Sequence, residues 1–264
     1  MRWCRFRLSQ KESYGIVENG RIEPVEGSPY GNYRRGGNSL AIDEVRLLAP
    51  CVPRTMYAAG SNYLDHDIGM AALMGTVSKP PTAPYINYRM PSAVIGPDEP
   101  IVIPADASDE IQYEGELVVV IGKQAKHLTA DNALDCVLGY TIGNDFTERN
   151  WQKSDRTFWR CKNADTFKPL GPWIETDVDL EAMRTIVRIN GRVATEFATG
   201  NMLFGVSEYL RALTSYVTVY PGDVLWMGTD LVPESVSPGD VIEIEITGIG
   251  VLRNTVTKER AGAA

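Results

Sequence analysis

Two glutamates, Glu114 and Glu116, stand two positions apart at the head of an apolar run, 117–121. Side chains alternate faces along a strand, so the pair projects to one side while the run behind it anchors the segment in a core. Like charges that close repel each other. Either the pair is a solvated strand end, as glutamates mostly are, or a divalent cation offsets the repulsion, because hard cations take carboxylate oxygens. A third carboxylate, Asp145, lies in GYTIGNDFTERNWQ, where a strand pattern gives way to a polar turn. Such turns are where a rigid scaffold presents functional side chains. If the following residues are helical, Asp145, Arg149 and Gln152 share one face at spacings of four and three. The plainer alternative is a helix-start aspartate paired with Arg149.

Other chemistries lack their residues. Two histidines, His66 and His127, exclude a three-histidine metal site within one chain and an H-E-x-x-H motif. Cys4, Cys51, Cys136 and Cys161 are scattered without a C-x-x-C pair and read as free cytosolic thiols. There is no G-x-x-x-x-G-K-[ST] loop and no G-x-S-x-G elbow, and TGIGVLRN lacks the third glycine of a dinucleotide loop. Any bound metal must therefore rest on carboxylates, which favours Mg²⁺, Mn²⁺ or Ca²⁺ over zinc or copper. With 26 Lys and Arg against 34 Asp and Glu, the net charge of −8 argues against nucleic-acid and anionic-membrane partners. It leaves a small molecule as the expected partner.

The elements that must position these residues are mostly strands. At 264 residues the chain is long enough for one large domain plus a small one, and a boundary is expected near residue 50, giving 1–50 and 51–264. The first part holds WCRFRL and a hairpin turned at Asn19-Gly20. PIVIP, ELVVVIG and YTIGND read as strands, and TIVRINGRVATEF as a second hairpin turned at Asn190-Gly191. TADNALDCVLGY has helical spacing, with Thr129 as its cap, and Ser207 is the expected cap of a helix burying Leu210, Leu213 and Val217. Residues 62–84, interrupted by prolines, read as a lid over the surface. The terminal KERAGAA is expected to fray. No apolar run is long enough to span a bilayer and the basic start lacks a secretory core, so the cytoplasm is the expected location.

EGELVVVIGK, GNDFTERNWQ, KNADTFKPLGPW, INGRV and PGDVLWMGT follow one another in an order that resembles the successive motifs of the fumarylacetoacetate hydrolase family, over about residues 50 to 255. The resemblance implies an α+β, predominantly β fold, a mixed β-sandwich roll carrying a small N-terminal β-rich domain. It also implies a homodimer.

On the same resemblance, Glu114, Glu116 and Asp145 hold one divalent metal, Mg²⁺ foremost. Lys162 and Thr166 face the substrate, Arg149 and Gln152 lie near the metal, and Thr229 binds a substrate oxygen. Without metal, such a site is expected to carry a surplus of negative charge, so that metal binding stabilises the fold. Family hydrolases commonly carry N-Y-x-x-H-x-x-E near the lid, and its His-Glu pair activates water. Here the stretch is NYLDHDIG: Tyr63 and His66 are kept and the glutamate is Gly69. Asp65, Asp67 and Glu148 are the acidic groups that lid closure could bring to His66. Many members have lysine two residues before P-S, where this chain has Arg89, which can grip a carboxylate bidentately.

The implied function is metal-dependent chemistry on a 2-oxo acid or 1,3-dicarbonyl compound, with hydrolytic C–C cleavage of an acylpyruvate-like substrate leading. A lyase or isomerase on the same platform needs the metal and Lys162 but no activated water. A ligand-binding protein without turnover is the third reading.

Overall fold

Strands Gly115–Ile121 and Val137–Asn144 pair antiparallel through the middle of the molecule, Gly115 opposite Asn144 and Leu117 opposite Ile142. In the computed structural model, which describes residues 1–73 and 75–260, they form the centre of a 13-stranded sheet. Lys168–Glu175 flanks the pair on one side; Val224–Trp226, Met56–Ala59 and Ile86–Arg89 follow on the other. A second sheet of five strands contains Arg184–Ile189, Arg192–Ala198, Val241–Ile246 and Gly250–Lys258. The fold is α+β and predominantly β, as the resemblance implies.

Period-two alternation explains the layering. Leu117, Val119 and Ile121 enter the core shared with Val187, Ile242, Ile244 and Leu252 of the second sheet. Val118 and Val120 point the other way, among Trp3, Met56, Ala58 and Trp226. Both faces of the strand are thus buried, and its head cannot be a solvated end. Gly115 lacks a side chain for a steric reason: a Cβ there would lie 3.0 Å from Val187 and 3.1 Å from Ile244.

The first fifty residues join the large sheet, since Arg2 pairs with Glu175 and Trp3 with Ile174. Cys4, Phe6, Val17 and Ile22 form a small cluster of their own there. Both expected Asn-Gly hairpins are present, with φ of 50° and 73° at Asn19 and Gly20 and 52° and 80° at Asn190 and Gly191.

Two helical expectations need correction. In TADNALDCVLGY only Ala133–Cys136 is helical, as a 3-10 turn; Val137 onward is strand, because its pairing with Gly115–Ile121 outweighs local spacing. The helix Val206–Thr214 begins at Gly205, with Glu208 accepting from the Gly205 N–H, so Ser207 lies inside it and Val217 beyond it. Leu210 and Leu213 are buried as expected. Strand pairing orders the chain to Lys258, and 261–264 lie outside the described residues. No helix among the described residues is long and apolar enough to cross a membrane.

Candidate metal centre and active site

The antiparallel pair sets the three carboxylates. Glu114 N–H donates to Asn144 Oδ1 at 3.0 Å, and Asp145 N–H donates to the Glu114 carbonyl at 2.9 Å. This lock places Asp145, at the end of one strand, beside Glu114 at the head of its neighbour. Glu116 Oε2 accepts from Gly228 N–H at 2.7 Å. One oxygen from each of Glu114, Glu116 and Asp145 lies within 4.8 Å of the others, and all three residues are buried.

Four cations surround them. Arg89 Nε and Nη2 reach Asp145 Oδ1 and Oδ2 at 2.9 and 2.7 Å. Lys162 Nζ donates to Glu114 Oε2 at 2.7 Å, Asp145 Oδ2 at 2.8 Å and Thr147 Oγ1 at 2.9 Å. Lys168 Nζ lies 2.7 Å from Asp145 Oδ1, and Arg149 Nη2 bonds Glu114 Oε1. Three carboxylates thus face four cationic groups. The expected surplus of negative charge is absent, and with it the argument that metal must relieve it. Arg89 does grip a carboxylate bidentately, but it is the protein's own Asp145.

The charges divide unevenly. Burial pulls Glu114 upward, yet Lys162 and Arg149 overcome it and hold the carboxyl at about 2. Burial opposes ionisation of Asp145 too, and Arg89, Lys162 and Lys168 keep its pKa well below the ordinary value. Among the described residues no cation pairs with Glu116: burial, then the Asp145 and Glu114 charges, push it up to about 8. A divalent ion is the counter-charge that Glu116 lacks, and an all-oxygen, all-carboxylate donor set fits a hard cation. The residues present therefore fit the metal that the sequence implied.

The cluster floors a cavity of about 200 Å³ whose wall includes His66, Arg89, Arg149, Gln152, Lys162 and Thr229. Arg149 is fixed by Gln112 at 2.6 Å and Gln152 at 2.9 Å, so Gln152 orients the guanidinium. Asp145 precedes the short helix Arg149–Gln152 and shares no helical face with it; Arg149 pairs with Glu114 instead.

His66 enters from the helix Leu64–Leu73, where Nδ1 lies 2.5 Å from the Leu231 carbonyl oxygen. A carbonyl only accepts, so Nδ1 carries the proton and Nε2 is left as a base. Burial lowers the pKa of the ring below 6.5. Among the described residues no carboxylate lies within ion-pair distance of it. Asp67 accepts from Ser61 and Ser78, Glu148 accepts from Ser108 and caps the short helix at Trp151, and Asp65 is exposed. Gly69 is one turn beyond His66 because the loop packs there: a Cβ would lie 2.3 Å from Val232 Cγ2.

Two expected site residues are placed elsewhere. Tyr63 is fully buried, its hydroxyl donating to the Thr199 carbonyl at 2.6 Å. Thr166 accepts from Val102 N–H at 2.8 Å and braces the strand Ile101–Ile103. Lys168 was not anticipated. A lysine before an apolar strand reads as a surface residue; its one sequence signal is its place between Phe167 and the largely apolar PLGPWI, a stretch that is buried apart from the half-buried Trp173.

The model of the fumarylacetoacetate hydrolase C-terminal domain matches residues 55–257. The chain belongs to this family. The model of an Rv2993c-like N-terminal region matches residues 1–50. Protein Rv2993c of Mycobacterium tuberculosis is 40% identical over 237 residues, 88% of this chain and 86% of that protein. The mitochondrial oxaloacetate tautomerase FAHD2A of Homo sapiens is 33% identical over 230 residues, 82% of this chain and 71% of its own. The crystal structure of 5-carboxymethyl-2-hydroxymuconate delta-isomerase from Mycobacterium smegmatis superposes with a TM-score of 0.89 at 34% identity, covering 98% of this chain and 100% of that one. Fumarylacetoacetate hydrolase family members are enzymes that act on small molecules, among them isomerases, hydrolases and tautomerases.

Proposed function

We propose that this chain is a divalent-metal-dependent enzyme that moves the proton next to the keto group of a 2-oxo acid, a keto–enol isomerisation. One observation carries the choice over hydrolysis: the His66 ring is oriented by the neutral Leu231 carbonyl, and among the described residues no carboxylate bonds it, the Glu114 charge acting on it only through space. Water activation by a histidine benefits from such a charge, since a carboxylate orients the ring and stabilises the imidazolium that forms. Two relatives, a tautomerase and an isomerase by name, support the same choice.

Glu114, Glu116 and Asp145 would hold the metal, with Mg²⁺ as the leading ion and Mn²⁺ and Ca²⁺ compatible with the same donors. When bound, it supplies Lewis-acid polarisation of the keto group. His66 Nε2 removes the proton from the carbon beside the carbonyl, while Nδ1–H stays on Leu231. Lys162, fixed by Glu114, Asp145 and Thr147, offers positive charge to the enolate oxygen. Thr229 gives the substrate an additional oxygen contact from the cavity wall. The imidazolium then returns the proton to the enolate oxygen, and atoms and charge balance without any co-substrate.

Hydrolytic C–C cleavage is the second reading, favoured by the acceptor nitrogen that His66 leaves beside a cavity large enough for water. A screen of acylpyruvates, oxaloacetate and 2-oxo-3-deoxy acids with Mg²⁺, following products by mass, separates the two. Isomerisation leaves the mass unchanged; a gain of 18 Da distributed over two fragments contradicts it.

A further inference from the structure

Lys168 opens the strand Lys168–Glu175 behind Asp145 and is 0% exposed. Its ammonium lies 2.7 Å from Asp145 Oδ1 and donates to the carbonyls of Phe146 at 3.1 Å and Phe167 at 2.8 Å. All three N–H groups are therefore used, and the side chain is not part of the cavity wall. No substrate can touch it.

Asp145 is crowded as a result. Oδ1 faces Arg89 Nε and Lys168, and Oδ2 faces Arg89 Nη2 and Lys162. An ionised carboxylate offers about four lone-pair positions, so an ion that takes Asp145 must share or displace one of these contacts. Arg89 and Lys162 border the cavity. Lys168 is enclosed and held by two backbone carbonyls, so its ammonium cannot turn away, and although burial lowers its pKa to about 8 it is mostly charged at pH 7. A fixed unit charge so near the three carboxylates repels a dication and attracts an anion, and burial leaves it poorly screened.

We propose that Lys168 is a positioning residue that sets the field of the site: it loosens the hold on the divalent ion and tightens the hold on an anionic ligand. This rests on the metal-site reading above. Three carboxylates, four cationic groups and one divalent ion leave three positive charges when all are ionised, a balance suited to a multiply charged anion. The cost of that attraction is a weaker grip on the metal, which an enclosed lysine imposes while it is charged and a mobile one would not.

The test titrates Mn²⁺ at pH 7 into the wild type, Lys168→Met and Lys168→Gln, and then titrates oxalate, a chelating dianion, into each Mn²⁺-saturated protein. Mn²⁺ is expected to bind the neutral variants on the order of tenfold more tightly, and oxalate on the order of tenfold more weakly. Lys168→Arg, which keeps the charge, is expected to shift neither in that direction. Opposite shifts cannot come from general loosening of the site, which would weaken both ligands. Unchanged affinities, a joint loss, or failure of both neutral variants to fold would overturn the proposal, the last by showing that Lys168 serves structure. A wild type that binds no Mn²⁺ would instead contradict the metal-site reading itself.

Discussion

His66 Nδ1 lies 2.5 Å from the carbonyl oxygen of Leu231, a non-glycine residue at φ 60°. The loop that carries this carbonyl runs on from Gly228, whose N–H binds Glu116, so one short segment touches both the base and a metal ligand. The same loop brings Val232 onto the helix at Gly69, where a Cβ would meet Val232 Cγ2 at 2.3 Å and the valine would have to shift. The missing glutamate and the carbonyl partner are therefore two aspects of one arrangement.

Glutamate at 69, which sequence reasoning suggests would strengthen His66, would instead push against Val232. Gly69→Ala is expected to lower kcat by displacing Leu231 from the ring, although alanine favours the helix by about 1 kcal/mol. Gly69→Ala with Val232→Ala should recover turnover. A double variant as slow as Gly69→Ala would show that the contact does not transmit to His66.

The pH profile should show the histidine. Only its neutral form accepts a proton, and burial lowers its pKa below 6.5. Activity is thus retained above 6.5 and lost as pH falls through the lowered pKa, so the acid limb of kcat/KM is expected below 6.5. A limb above that value, or one that persists in His66→Ala, would assign the titration to another group.

Among the described residues, Glu116 is the ligand that no cation pairs with. Glu116→Gln should weaken Mn²⁺ binding by about tenfold or more, the loss typical of even an outer-sphere partner. Calorimetry on both proteins measures it, and equal affinities would remove Glu116 from the metal site.

Lys162 touches both metal ligands and faces the cavity. Lys162→Met should lower kcat on the order of 10²-fold or more by removing positive charge from beside the enolate oxygen, while Mn²⁺ still binds. Turnover unchanged with Mn²⁺ binding lost would give Lys162 a purely structural part.

Much of the site was legible because strand alternation is strict: Glu114 and Glu116 had to share a face, and the Asn-Gly turns had to join strands. The ordered motifs then supplied Asp145 and Lys162. What escaped reading was the material without a local signature. The Leu231 carbonyl is backbone and carries no residue type to recognise. Lys168 is identified only by its enclosure; Arg89 is named by the motif, but the carboxylate it grips, Asp145, lies 56 positions away and only the fold brings the two together. Tyr63 and Thr166 lie within recognisable motifs, yet their hydroxyls bond Thr199 and Val102, contacts that only the fold creates. The helix expected through Val137 gave way to sheet pairing, a tertiary preference that spacing cannot record.

The central claim, that His66 moves a proton on carbon at a metal-dependent site, is tested most directly by deuterium exchange. Wild type and His66→Ala are each incubated with oxaloacetate and Mg²⁺ in D₂O, and incorporation at the carbon beside the keto group is followed by NMR against a protein-free control. The wild type is expected to accelerate exchange well above the control, with the acceleration lost in His66→Ala and on chelation of the metal. Exchange at the control rate in the wild type, or acceleration that survives in His66→Ala, would contradict the account.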